Sequence, residues 1–179
     1  PYRISFFGGG TDYPEWYLKN TGEVISTTID KYLYLTCRNQ PSFFKYKYRI
    51  IWRKIELAQN RQEIKHRVIK EMIKYLDIKD GLEILYAGDL PAQSGMGSSS
   101  SFVVGLMTAL FELKNIKFNK EKLAKESIYF EQKVLKEIVG SQDQVANSYG
   151  GFQSIKFMRN GSFKVTNLDK DKNYLKSLN

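Results

Sequence analysis

Cysteine, histidine and long apolar runs are scarce in this sequence of 179 residues. The single cysteine, Cys37, cannot form an internal disulfide, and with one histidine, His66, we expect no structural zinc site. No apolar run reaches the roughly 18 residues that a transmembrane helix needs. The start lacks the charged and apolar regions of a secretion signal and has no Met, so we expect a cytoplasmic protein with residues ahead of Pro1.

Basic charge is concentrated in one segment. The chain carries 28 lysines and arginines and 19 acidic residues, a formal net charge of +9, and ten of the basic and three of the acidic residues lie within 43–74. Apolar residues recur with a period close to 3.6 over 55–76, which predicts a helix with a solvated basic face and does not require a nucleic-acid partner. Aromatic and basic residues interleave over 43–53, which predicts an ordinary amphipathic strand or, with Trp52 foremost, a surface that stacks an adenine.

Strand and helix patterns alternate along the chain. Strands are predicted at residues 1–8, 24–28, 32–38, 46–52 and 82–87. Besides 55–76, helices are predicted at residues 102–113, 120–139 and 142–148. Asn160-Gly161 predicts a hairpin between strands at 152–157 and 162–166, and Asp30-Lys31 predicts a bend or hairpin turn. This order predicts an α+β fold built as a two-layer arrangement of sheet and helices.

A loop rich in glycine and serine separates a predicted strand from a predicted helix. Helix N-termini present unpaired N–H groups with partial positive charge, and glycines let the backbone approach a ligand closely. The loop therefore predicts a phosphate cradle or, alternatively, a serine N-cap in a turn without a ligand. It is not a Walker A loop, since no Gly-Lys-Ser/Thr follows, nor a dinucleotide fingerprint. The residues of the predicted cradle are Gly95, Met96, Gly97, Ser98, Ser99 and Ser100.

Three acidic residues and one arginine are conspicuous by their positions. Asp12 closes a loop of three glycines, where it predicts an Asx turn or a ligand contact. Asp143 opens a predicted helix, so it is either an N-cap or a proton acceptor. Glu131, in the predicted helix 120–139, is either a solvated charge or a metal ligand. Arg3 lies in a mostly apolar strand, either as a solvated edge residue or as a cation that faces a phosphate.

Three segments resemble motifs of the GHMP kinase superfamily, in the order that the family has them. Residues 90–100, Leu-Pro-Ala-Gln-Ser-Gly-Met-Gly-Ser-Ser-Ser, are similar to its second motif, and residues 140–144, Gly-Ser-Gln-Asp-Gln, resemble the segment with its proton acceptor. Residues 1–13 align without gaps to the galactokinase signature, with Gly9 and Gly10 in place of its Glu and His. The resulting Gly-Gly-Gly-Thr-Asp pattern is most similar to the branch of heptose 7-phosphate kinases. The matching positions of the signature are Arg3, Gly8, Thr11, Asp12 and Tyr13.

The resemblance implies a ribosomal protein S5 domain 2-like fold, use of ATP and Mg²⁺, and a role for each candidate residue. Asp143 would accept the proton, and Arg3 would stabilise the transferring phosphoryl group. The glycine–serine loop would cradle the phosphates, while Ser99 and Glu131 would hold magnesium. The sugar would contact Gly9, Gly10, Thr11 and Asp12.

The implied reaction is ATP-dependent phosphorylation of the anomeric hydroxyl of D-glycero-D-manno-heptose 7-phosphate to the 1,7-bisphosphate. Gly9 and Gly10 open space and remove a negative charge, which suits a bulkier or phosphorylated sugar. A fucokinase- or galactokinase-like sugar 1-kinase is the alternative, and a basic RNA-binding S5-like module is a remote one. We expect a small-molecule sugar phosphate as substrate and neither nucleic acid nor membrane as partner; a homodimer stays open.

The resemblance also predicts how the chain is divided. Residues 1–165 are expected to form the N-terminal domain of a GHMP kinase. Residues 166–179 are expected to begin a truncated C-terminal domain, because the third, glycine-rich motif of the family is missing from the sequence. Whether this stretch of chain turns over by itself without that motif stays open.

Overall fold

The computed structural model describes residues 1–91 and 94–169, and most of the predicted second unit, 166–179, lies outside the described residues. The strands are β1 (Arg3–Phe7), β2 (Gly22–Thr28), β3 (Leu33–Asn39), β4 (Tyr48–Ile51), β5 (Ile55–Ala58), β6 (Leu82–Gly88), β7 (Phe152–Phe157) and β8 (Phe163–Asn167). The helices are α1 (Pro14–Asn20), α2 (Arg67–Tyr75), α3 (Ser98–Leu113), α4 (Lys120–Tyr129) and α5 (Gln142–Tyr149). A 3₁₀ turn (Arg61–Glu63) precedes α2, and a π-helical turn (Phe130–Val134) follows α4.

Two four-stranded sheets form the frame, which confirms the predicted α+β class. The first has the order β1-β2-β7-β8 and is antiparallel throughout. The second sheet has the order β3-β6-β4-β5. Within it β4 and β6 run parallel, whereas the pairs β3–β6 and β4–β5 are antiparallel. Within the part of the chain that the structure describes, no helix has both the length and the apolar character of a membrane span.

Each sheet buries one face against helices, as its alternating side chains require. The larger apolar cluster joins Ile50 and Ile84 of the second sheet to Ile69 of α2 and to Leu106 and Met107 of α3. The smaller cluster joins the first sheet to α1, α4 and α5. Its fully or nearly fully buried members are Tyr17, Val24, Ala124, Val145, Ala146, Ile155 and Phe157. The helices α3 and α5 also pack directly against each other, which holds their N-termini in fixed relative positions.

The predicted helix over 55–76 is wrong in its first half. β4 and β5 form an antiparallel hairpin in which Ile51 faces Ile55. The helix α2 begins only after His66, whose Nδ1 accepts the N–H of Ile69 at 3.5 Å. The apolar residues of β5 fit a helical period, but β4 pairs with β6 and holds the hairpin in the sheet. Tertiary pairing therefore overrides the local pattern here.

Three smaller differences follow from local geometry. Residues 30–31 form part of a bend and not a hairpin turn, since β2 and β3 lie in different sheets. The helix α1 was not predicted, although Pro14 suits its first position and Tyr17 is buried. The predicted helix 120–139 is shorter than expected, because α4 ends at Tyr129 and continues as the π-helical turn.

Trp52 lies in the turn that follows β4 and not in the predicted strand, and its ring packs inward. Its ring lies 5.0 Å from His66 and 6.4 Å from Tyr86, measured between centroids, and it packs against the larger apolar cluster. Its indole N–H donates to Glu56 at 3.1 Å. These contacts account for the aromatic residue without an adenine.

Candidate active site

Arg3 and Asp143 form a two-point ion pair between β1 and α5. The Nε of Arg3 donates to Oδ1 of Asp143 at 2.6 Å, and a terminal nitrogen donates to Oδ2 at 2.9 Å. The other terminal nitrogen of Arg3 donates to the carbonyl of Gly95 at 2.9 Å. Both side chains are mostly buried, at 13% and 21% exposure. The fork of the guanidinium therefore fixes the orientation of a carboxylate that also lies at a helix N-terminus.

The glycine–serine loop wraps around this pair and leads into α3. Gly95 and Gly97 have positive φ values of 75° and 72°, and the carbonyl of Met96 accepts the backbone N–H of Arg3 at 3.2 Å. The N-cap of α3 is Gly97 and has no side-chain cap. The serine N-cap of the alternative interpretation is therefore wrong. The first N–H groups of a 16-residue helix have no capping side chain, which suits them to an anion.

A side chain at Gly97 would crowd the ion pair, which predicts a loss of stability in Gly97→Ala. An added Cβ would lie 3.0 Å from Oδ2 of Asp143 and 3.3 Å from Cγ of Arg3. Gly95→Ala is the matched control, because Gly95 shares the positive φ but has open space around its Cβ. We expect both variants to lose about 1–2 kcal/mol of unfolding free energy from the backbone conformation. Gly97→Ala should lose clearly more in urea titrations, and equal losses would contradict the crowding.

A cavity of about 620 Å³ opens beside the ion pair, within the size range of small-molecule sites. It lies between the free edge of β1, the two glycines at the end of that strand and the loop that precedes α3. The lining residues are Arg3, Ile4, Ser5, Phe6, Phe7, Gly8, Gly9, Ser94, Gly95, Met96 and Gln142. Among these residues Arg3 is the one charged side chain, and Asp143 already pairs with it. Asp143 is not itself a lining residue, but Arg3 holds its carboxylate next to the cavity, close to the predicted phosphate cradle.

The four residues expected to contact the sugar separate into two pairs. Gly9 and Gly10 are exposed, and a side chain at either would meet open space. Thr11 is tied into its own loop, since its hydroxyl donates to the carbonyl of Gly8 at 2.7 Å. Asp12 is 1% exposed and accepts backbone N–H groups with both carboxylate oxygens. Gly9 lines the cavity, whereas sugar contact by Thr11 and Asp12 stays a prediction that these contacts do not support.

Glu131 is buried, so the interpretation as a solvated helix charge is wrong. It lies in the π-helical turn at 1% exposure, and its Oε2 accepts from the hydroxyl of Ser100 at 3.0 Å and from the amide of Gln144. Its Oε1 has no hydrogen-bond partner. Burial raises the pKa of Glu131 to about 7, and the two hydrogen bonds oppose that rise.

Magnesium binding by Ser99 and Glu131 stays a prediction, because the serine bonded to this carboxylate is Ser100 and Ser99 is exposed. A buried carboxylate oxygen without a partner is a hard donor of the kind that Mg²⁺ prefers, and the exposed Ser99 precedes the serine bonded to this carboxylate. Residues 1–91 and 94–169 contain no group of three or more His, Cys, Asp or Glu side chains arranged for a metal. One carboxylate and one hydroxyl are nevertheless sufficient, because Mg²⁺ usually keeps several waters and phosphate oxygens as ligands.

Sequence reasoning missed three polar residues of the site. Ser5 donates from its hydroxyl to Oε1 of Gln142 at 2.8 Å, and both residues line the cavity. Gln144 is fully buried against Glu131. Alternation along β1 was the available signal for Ser5, since residues 3 and 5 share one face of a strand. The two glutamines flank Asp143 directly in the sequence.

The fold and this site define a class of protein. The family described as GHMP kinases N terminal domain matches residues 63–151, which hold the glycine–serine loop, Glu131 and Asp143. The chain belongs to this family, as an N-terminal domain of the GHMP kinase type. The predicted fold is thereby confirmed.

Relatives with known names agree with the family. The chain is 28% identical to D-glycero-alpha-D-manno-heptose 7-phosphate kinase of Campylobacter jejuni, over 99% of the chain and 55% of that protein. A solved D-glycero-D-manno-heptose 1-phosphate kinase from Bacteriodes thetaiotaomicron has a TM-score of 0.85 at 26% identity, over 98% of this chain and 60% of that one. Lactococcus lactis galactokinase complexed with galactose shares the fold, with a TM-score of 0.72 at 21% identity over 94% and 46% of the two chains. The chain thus spans about half the length of these relatives, from 46% to 60%.

Proposed function

We propose that the protein is an ATP-dependent sugar kinase that phosphorylates the anomeric hydroxyl of a heptose phosphate. D-glycero-D-manno-heptose 7-phosphate is the proposed substrate and the 1,7-bisphosphate the product. The observation that carries this proposal is the two-point pair of Arg3 and Asp143, held between an uncapped helix N-terminus and an open cavity. Phosphoryl transfer needs this combination of a positioned proton acceptor, a fixed cation and a phosphate cradle.

The proposed mechanism assigns one task to each group. The anomeric oxygen attacks the γ-phosphorus of ATP, the bond from that phosphorus to the β-phosphate oxygen breaks, and Asp143 accepts the hydroxyl proton. Arg3 holds the carboxylate in place and offsets charge on the transferring group. The N–H groups at the start of α3 bind the phosphates of the nucleotide. Mg²⁺, when bound by Ser99 and Glu131, neutralises phosphate charge.

Two observations bear on the choice of sugar. Gly9 lines the cavity, and a side chain at Gly9 or at the neighbouring Gly10 would meet open space, which supports a substrate larger than a hexose. The two heptose kinases named above carry different phosphate positions in their names, the 7-phosphate in one and the 1-phosphate in the other. The described cavity has one charged lining residue, Arg3, which favours a fucokinase- or galactokinase-like enzyme for an unphosphorylated sugar as the second candidate.

Phosphorylation by the protein in its full natural length tests the proposal. Heptose 7-phosphate, fucose and galactose are offered separately with ATP and Mg²⁺, and phosphorus NMR locates the new phosphate. A 1,7-bisphosphate formed from the heptose alone is the expected result. Turnover of only the unphosphorylated sugars would favour the second candidate, and turnover of none would contradict the assignment as a sugar kinase.

A further inference from the structure

We propose that Asp12 is a positioning residue, which caps α5 from a distant loop and thereby holds Asp143 against Arg3. The role in catalysis rests on the function proposed above, whereas the capping contact does not. Resemblance alone assigns Asp12 to the sugar. The described contacts assign it to the protein backbone instead.

The backbone N–H groups at the start of α5 find their hydrogen-bond acceptors in a distant loop. Ser141, the N-cap residue, makes no side-chain capping bond. Instead Oδ2 of Asp12 accepts the N–H of Gln142 at 3.1 Å, and the carbonyl of Asp12 accepts the N–H of Ser141 at 2.9 Å. A carboxylate at this position also interacts favourably with the helix dipole. Asp12 therefore serves as the N-cap that the local sequence lacks.

The loop that carries Asp12 is itself held firmly. Oδ1 of Asp12 accepts the N–H of Gly10 at 3.1 Å, so the second carboxylate oxygen is also engaged. The hydroxyl of Thr11 donates to Gly8 and accepts the N–H of Glu23 at 3.1 Å, which fastens the loop to β2. Asp12 is 1% exposed, its two oxygens face backbone N–H groups, and it does not line the cavity, so its carboxylate is not presented to a sugar there.

Gly140 completes the contact from the side of α5. A Cβ on Gly140 would lie 1.9 Å from Oδ2 of Asp12, so the Asp12 side chain fits here only if residue 140 is glycine. The φ of Gly140 is not in the left-handed region, so alanine costs nothing in backbone conformation there. Gly140→Ala therefore disturbs the same contact without changing Asp12.

The catalytic consequence follows from the order of residues in α5. Gln142, whose N–H is capped, directly precedes Asp143. A shift of this first turn moves the Asp143 carboxylate away from Arg3, while the cavity wall formed by β1 stays in place. A displacement of about 1 Å in a catalytic group can cost about 10²-fold in rate. Loss of the contact between Asp12 and the start of α5, which we call the brace, should therefore lower kcat and leave the KM for the sugar unchanged.

Steady-state kinetics of the full natural protein separate a brace from a sugar contact. Asp12→Ala and Gly140→Ala are expected to lose about 10²-fold in kcat with unchanged sugar KM. Asp12→Asn keeps an acceptor oxygen and should recover part of that loss. Asp30→Asn is the matched control, because it makes the same chemical change at an exposed position. A raised sugar KM with kcat retained in Asp12→Asn would overturn the proposal in favour of sugar contact.

Hydrogen exchange tests the capping contact independently of activity. The amide hydrogen of Gln142, which bonds to the Asp12 side chain, should exchange roughly tenfold faster in Asp12→Ala and Gly140→Ala, the factor that matches a typical N-cap contribution, and by a smaller factor in Asp12→Asn. Unchanged exchange of this amide in Gly140→Ala and Asp12→Asn would overturn the brace. If the wild-type protein shows no kinase activity, the proposed function fails, and the exchange measurement still decides the capping role. If Asp12→Ala does not fold, the two milder variants carry the test.

Discussion

Asp143→Asn is expected to lower the kcat of the full natural protein by about 10²–10⁴-fold, the usual contribution of a positioned general base. Asparagine keeps the size of the side chain and one acceptor for Arg3, but it cannot take up the hydroxyl proton. Binding of the sugar should change little, because the cavity lining does not include this carboxylate. Initial rates of ADP release with saturating ATP and Mg²⁺ measure the effect.

The control for Asp143→Asn is Asp80→Asn, which removes an exposed carboxylate ahead of β6, whereas the glycine–serine loop follows the other end of that strand. It should leave kcat unchanged. If Asp143→Asn kept the full rate, Asp143 would not be the proton acceptor, and the pair with Arg3 would be a structural feature only.

Glu131→Gln is expected to stabilise the fold above pH 7 and to weaken the response to Mg²⁺. Burial raises the pKa of Glu131 to about 7, above its value in the unfolded chain, so the folded protein binds the extra proton between about pH 4.5 and 7. Stability contributed by the protonated form is therefore lost as pH rises through this window and stays low above it. The difference between the folded and unfolded pKa values corresponds to at most about 3 kcal/mol of unfolding free energy.

Gln144 makes this substitution tolerable in the structure. Its Oε1 has no hydrogen-bond partner, so a turned amide can accept from the amide introduced at position 131. Urea unfolding at pH 5 and pH 8 should show a smaller pH dependence in Glu131→Gln than in the wild type. Glu112→Gln, an exposed change on α3, is the control and should keep the wild-type dependence. Equal pH dependence in Glu131→Gln and wild type would show that Glu131 is not protonated on folding.

The same variant tests the metal assignment. If Glu131 is a magnesium ligand, Glu131→Gln should need at least about tenfold more Mg²⁺ for half-maximal activity. An unchanged Mg²⁺ requirement would assign Glu131 to the packing of α3 against α5 alone. A gain in stability together with a loss of activity would mean that the buried carboxylate is kept for chemistry at the expense of the fold.

Local signals in the sequence predicted those parts of the fold that depend on short stretches of chain. Asn160-Gly161 predicted the hairpin of β7 and β8, and the glycine–serine loop predicted the start of a helix. The β4–β5 hairpin was not predictable in the same way, because its place depends on the parallel pairing of β4 with β6. The seven residues of α1 were too few to give a clear period.

The residues of the candidate site were likewise predictable only in part. The resemblance to the family correctly predicted that Arg3 and Asp143 lie near each other, since both belong to its motifs. It could not show that Asp12 is buried, because this depends on the missing side chain of Gly140 far along the chain. The periodicity of the predicted helix 120–139 likewise gave no sign of the π-helical turn that directs Glu131 inward.

The pair of Arg3 and Asp143 joins residues that are 140 positions apart. At the usual rates of translation, a ribosome needs on the order of ten seconds to reach the codon of Asp143 after that of Arg3. During that interval β1 can pair with β2, but the guanidinium has no carboxylate to hold. Contacts of such sequence separation also form slowly, since a long loop must close first. The ion pair at the centre of the candidate site can thus form only after most of the domain has been synthesised.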